Sequence, residues 1–190
     1  QLYSDVGIDT ASLASLYSHP GDTLWLNEHQ LKHQATVALE FIADSVNHGL
    51  NPDDYHFDLL QQLDPTLNES EARLFDLVLS DGLLKLIRDI SVGKLDPDVV
   101  DPKWSIPRES FNATAFLQQA LSGNDFKASL SSLIPTSQHY LQLKAAAARY
   151  QNYVERGGWQ TIPATAVLRT GDEHTNISAI RDRLSFVDNS

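Results

Sequence analysis

His29 and His33 stand four residues apart, a spacing that on a helix can offer two imidazoles to one metal ion. A zinc site needs a third and usually a fourth ligand, and neither a second H-x-x-x-H nor an acidic partner accompanies this pair. Glu28-His29 also has the wrong order and spacing for an H-E-x-x-H site. The two histidines are therefore expected to face solvent on the first long helix, with a metal-dependent hydrolase as the last-placed alternative. Asp53-Asp54, followed by Tyr55-His56, is an adjacent carboxylate pair. Glycoside hydrolysis wants two carboxylates about 5 to 9.5 Å apart across a cleft. Sequence neighbours at a helix start diverge instead, and the positive end of the helix dipole explains them. The remaining acids are expected along solvent faces, with no pair among them.

Other nucleophile patterns are missing. There is no G-x-S-x-G elbow, Gly157-Gly158 and Gly171 are too isolated to cradle phosphate, and the chain has no cysteine. Without cysteine there is no thiolate nucleophile, disulfide or thiolate metal site. Asn68-Glu-Ser, Asn112-Ala-Thr and Asn176-Ile-Ser fit glycosylation sequons. All three coincide with expected helix starts, where an asparagine side-chain oxygen caps backbone N–H groups. The expectation is that these residues contain no catalytic, cofactor-binding or metal-ligating group, and need no cofactor.

The 190 residues carry 42% hydrophobic side chains, enough for a core, and a net charge of −11. That acidity argues against nucleic acid and anionic membrane surfaces as partners. No run approaches the ~20 apolar residues of a membrane span. Leu83 to Ile90, the longest candidate, is interrupted by Lys85, Arg88 and Asp89. A start at Gln1 and the lack of methionine suggest a processed or truncated chain, compatible with a signal or anchor ahead of it.

The elements expected to position these residues are helical. Asn27 is read as the cap of a helix to about His48, with Leu31, Ala35, Ala38, Leu39, Ile42 and Val46 on one stripe and Gly49 as its left-handed stop. Asn51-Pro52 starts a new turn. A long helix runs from Asn68, where Glu71 can close a capping box, to Gly93, with Gly82 marking a close crossing. Leu95 to Pro107 reads as an extended Pro-rich loop pinned by Trp104. Helices follow at 112–121 and 125–133, then at 137–156 until Gly157-Gly158. In that last one, Ala145 to Ala148 would admit a close neighbouring helix. Ala164 to Leu168 has weak extended character, and a short helix over 177–186, capped by Asn176, closes the chain.

Several phrases, in order, resemble one family, the large L,D-transpeptidases that cross-link peptidoglycan in Gram-negative bacteria. They are His48-Gly49-Leu50-Asn51-Pro52-Asp53-Asp54-Tyr55-His56, then Leu79-Ser80-Asp81-Gly82-Leu83-Leu84 with Arg88-Asp89. Gly93-Lys94-Leu95-Asp96-Pro97 and Asp101-Pro102-Lys103-Trp104 follow. Tyr150 to Pro163, containing Gly157-Gly158-Trp159, looks like the exit from that family's helical scaffold. Leu168-Arg169-Thr170-Gly171-Asp172 and Ile177 to Leu184 look like the opening of its peptidoglycan-binding-like domain. Asn51 stands where the family typically has Asp, a change that still caps a helix.

The resemblance implies a mainly α fold. It would be an irregular multi-helix scaffold bundle with a long Pro-rich loop over 1–163, then an incomplete small helical unit over 164–190. It implies a parent enzyme whose catalytic domain uses a histidine-activated cysteine thiolate to take an acyl group from a tetrapeptide stem and form 3-3 cross-links. No S-x-G-C-x-R stretch occurs here, so no catalytic residue carries over. The expected role is a non-catalytic scaffold in the periplasm or envelope. Its partners would be its own downstream catalytic domain, with peptidoglycan or cell-wall synthases as further ones. A free-standing acidic helical adaptor of the envelope is the alternative. Trp25, Trp104 and Trp159 are candidate partner anchors, though such a residue is more often simply core. Ile177, Ile180, Leu184 and Val187 would lack their usual cover, so that tail is expected to fray, dock on the scaffold or pair with a neighbour.

Overall fold

The computed structural model describes residues 8–9, 13–17, 19, 21–100, 103, 110–159, 161–162 and 167–188. They are mainly α-helical. A two-residue hairpin, β1 (Leu26–Asn27) with β2 (Gln30–Leu31), precedes α1 (His33–Asp44). Two 3-10 turns, Ser45–His48 and Pro52–Tyr55, lead to α2 (Phe57–Gln62) and the long α3 (Glu69–Val92). Then come α4 (Pro97–Val100), α5 (Ala113–Ser122), α6 (Phe126–Ser131), α7 (Gln138–Glu155) and α8 (Asn176–Asp188).

Most helix ends fall where side-chain chemistry calls for them. Asn68, Asn112 and Asp125 accept the amides of Glu71, Ala115 and Ala128 at 2.8–2.9 Å, each satisfying a donor the helix start leaves over. The Glu71 carboxylate does not close the expected capping box; it accepts the Asp64 amide at 3.1 Å and ties the preceding turn instead. Asn176 is the first residue of α8 rather than its cap, its amide donating to His174 Nδ1.

The first helix corrects the sequence reading. Asn27 caps nothing: it lies in β1, and Glu28 and His29 form the turn with φ of 48° and 66°. Both central residues at positive φ make the tight hairpin turn that follows strand twist. Leu31 and Val46, expected on the buried stripe, are 43% and 53% exposed, while Val37 takes a core position. The expected loop over Leu95–Pro107 is also interrupted, by α4. Proline restrains the residue before it, here Asp96, but suits the first helical position. Trp104, on the same segment, lies outside the described residues, as does most of Ala164–Leu168.

By packing, the chain divides into two compact units, Gln1–Thr136 and Ser137–Ser190. The boundary expected at 163/164 separates modules by family likeness, which is a different quantity. The first unit is built around α3, which packs on α1, α2, the Pro52–Tyr55 turn and α5. Every residue from Val78 to Leu84 is buried, as a helix surrounded on all sides requires. Its core includes Ile42, Leu79, Leu83, Leu86, Ile87, Leu117 and Leu130, each worth roughly 1.5–3 kcal/mol in removed apolar surface. In the second unit no residue of α7 is buried, so the Ala145–Ala148 run has no tightly packed neighbour among the described residues.

Candidate functional site

Polar side chains inside the first unit cluster along one helix. Asp76, 1% exposed, accepts the Trp25 amide at 2.8 Å and the Leu24 amide at 3.1 Å. The Tyr17 hydroxyl donates to the same carboxylate at 2.6 Å. Ser80, one turn on, accepts the Trp25 indole N–H at 2.7 Å and lies 2.7 Å from the Tyr17 oxygen. With the Tyr17 proton given to Asp76, the order is a one-way chain from indole to serine to tyrosine to carboxylate. Burial pushes the Asp76 carboxyl up from its ordinary value, against the pull of Tyr17, the two amides and the Lys32 charge. Burial, with Asp76 beside it, pushes the Tyr17 phenol far above its ordinary range. A phenol so held does not ionise near neutrality and serves as a donor.

The second cluster joins two stretches that the sequence keeps apart. His56, at φ 64°, puts Nε2 2.7 Å from Asp81 Oδ2, and Lys85 donates to the same oxygen at 2.7 Å. The Asp9 amide donates to Oδ1 at 2.8 Å. Tyr55 donates to Asp89 at 3.0 Å, and Lys94 pairs with Asp54. Beneath these ties, a Cβ on Gly82 would overlap the Tyr55 carbonyl oxygen and sit 3.0 Å from its carbon. Gly82 does mark a close approach, but of the Pro52–Tyr55 turn rather than of another long helix. Asp76 and Asp81, both buried, thus correct the expectation that the remaining acids lie along solvent faces.

Chemically, the cluster is a clasp. His56 has a carboxylate and an ammonium as neighbours, with no hydroxyl nucleophile within hydrogen-bonding reach among the described residues. Burial would raise the Asp81 carboxyl, but hydrogen bonds from His56, Lys85 and the Asp9 amide outweigh it and hold it below its ordinary value. A folded value below the unfolded one adds stability above the unfolded pKa, lost as pH falls through the folded value. Asp81→Asn should therefore cost about 2 kcal/mol at neutral pH and flatten the decline in stability below pH ~4. Urea midpoints of both proteins across that range measure it.

The other candidates scatter. His29 sits in the hairpin turn with Nδ1 3.3 Å from the Pro65 carbonyl, and His33 opens α1, so they share no helix. Among the described residues no group of three or more His, Cys, Asp or Glu is placed to hold a metal ion. No described helix is long and apolar enough to cross a membrane. Trp25 is fully buried, its ring 6.0 Å from Phe126, so of its two readings the core one applies. In the second unit Trp159 packs with Tyr150, Tyr153 and Phe186, and the Arg183 guanidinium lies 5.1 Å from its ring centre. Phe186 thereby anchors α8 on α7. Ile177 and Ile180 are half-buried, Leu184 is 59% exposed, and the Val187 side chain lies outside the described residues.

Residues 11–146 match the family model described as the Scaffold domain, well over half of the chain. The chain belongs to the Scaffold domain family. The matched residues include Tyr17, Trp25, Asp76 and Ser80 of the first polar cluster and His56, Asp81 and Lys85 of the second. Neither a curated protein nor a solved structure matches the chain.

Proposed function

We propose that this Scaffold domain is the non-catalytic helical body of an L,D-transpeptidase of the Gram-negative envelope. It holds in register a cysteine acyltransferase domain carried elsewhere in the polypeptide. One observation supports this above the rest. Two of the phrases that resemble that family meet on α3, where Tyr55-His56 crosses Ser80-Asp81-Gly82, and a third follows the helix and pairs Lys94 with Asp54. Family-like residues placed at such joints suit a part whose job is to keep a shape. A thiolate supplied by the rest of the parent would attack the carbonyl of the stem's third residue and break its peptide bond, releasing the fourth residue as a free amine; an acceptor amine would then take the acyl group from the thioester and return the thiol. Its own catalytic domain is the first partner on this reading, with peptidoglycan and cell-wall synthases in the periplasm as further ones.

The test is to express the complete reading frame in a Gram-negative host and analyse its muropeptides. A rise in 3-3 cross-linked dimers, abolished when the frame's catalytic cysteine is replaced by alanine, is the expected result. A complete frame that encodes no cysteine-bearing catalytic domain would instead support an envelope adaptor and overturn the proposal.

A further inference from the structure

We propose that two copies of this chain pair through α7, antiparallel, as a two-fold symmetric dimer. This goes beyond the scaffold reading and rests on α7 alone. Tyr140, Leu143, Ala147, Tyr150 and Val154 recur at steps of three and four residues, the spacing of a coiled-coil seam. A stripe of that kind ordinarily faces a core, yet none of the 18 residues of α7 is buried. Leu143 and Val154 are 57% and 59% exposed. Phe186 of α8 takes the neighbouring flank, against Tyr150 and Tyr153, and leaves the Leu143 and Val154 side open.

Three features of the stripe favour a second copy as its cover. Lys144 and Glu155 stand eleven residues apart, three helical turns to within about 20°, so they share one flank at opposite ends. In an antiparallel pair each Lys144 comes within reach of the other copy's Glu155, whereas a parallel pair sets like charges level. A wholly basic or wholly acidic partner would suit one end of that flank and oppose the other. The antiparallel register also sets Leu143 against Val154, and Ala147 against Tyr150, a small residue facing a ring in both central layers. Finally, residues 137–190 hold six Lys and Arg against five Asp and Glu, a net +1, while the whole chain carries −11. Two copies therefore meet here without the repulsion that their acidic first units would impose.

The experiment is sedimentation equilibrium of the 190-residue chain from roughly 1 to 500 µM. An 18-residue helix is about 27 Å long and covers less than a standard interface, so a dissociation constant of about 10–100 µM is expected. Leu143 is exposed, so Leu143→Asp keeps the fold, with unchanged circular dichroism. It should weaken the dimer roughly hundredfold, because symmetry repeats the loss in two contacts. Lys144→Glu and Glu155→Lys should each weaken it roughly fivefold, and the double exchange should restore it. A mass of 21.1 kDa at every concentration overturns the inference. So does a dimer indifferent to Leu143→Asp, or one that the double exchange fails to restore. No muropeptide enters the measurement, so its outcome is independent of the acyl-transfer assay.

Discussion

Gly82→Ala is expected to destabilise the first unit by about 3 kcal/mol, although alanine is the better helix former by about 1 kcal/mol. The reason is the Tyr55 carbonyl, whose oxygen occupies the space the new methyl group needs. Backbone cannot yield as a flexible side chain can. Displacing it also pulls at Tyr55–Asp89 and His56–Asp81, which leave from the same turn. Gly49→Ala provides the contrast. Gly49 has open space around it but φ of 75°, so its cost should be only that of left-handed backbone, about 1 kcal/mol. Urea denaturation of the two variants separates steric exclusion from backbone strain. Equal losses would contradict the packing account.

Asp76→Ala should cost more, about 3–5 kcal/mol, because it orphans the Leu24 and Trp25 amides together and takes from the Tyr17 hydroxyl its charged acceptor, leaving it the Ser80 oxygen and the residue-76 carbonyl. The hairpin after Trp25 depends on the same carboxylate, so its backbone amides should lose hydrogen-exchange protection before those of α3 do. Asp76→Asn keeps one acceptor oxygen but sets an N–H against an N–H, and is expected to recover only part of the loss. A full rescue by asparagine would mean that the negative charge and its second acceptor contribute nothing.

How much of this was legible in the sequence depends on which forces are local. Asn51-Pro52, Asn68, Asn112 and Asp125 announce helix starts because a short polar side chain beside its own amides is a local solution. Gly49 and Gly93 announce ends in the same way. The hairpin at Leu26–Leu31 was hidden because Glu28-His29 is not the Asn-Gly, Asp-Gly or Gly-Gly pair that signals such a turn. Burial of Trp25 and its ties to Asp76 and Ser80 select that turn from outside the segment. Asp76 and Asp81 were hidden for a related reason. On a helical pattern they look like solvent-face acids, and only the arrival of Tyr17, the hairpin, His56 and the Asp9 amide gives them partners. The family phrases pointed at the right residues, yet sequence order could not say that two of the phrases meet.

The Scaffold domain is a body of packed helices held by internal ties, expected to perform no bond-making itself. Mass spectrometry of purified disaccharide tetrapeptide incubated with the 190-residue chain tests this most directly. The account predicts an unchanged substrate and an unmodified protein mass. An acyl adduct, a cross-linked dimer or released terminal residue above a protein-free blank, lost again in His56→Ala, would contradict it.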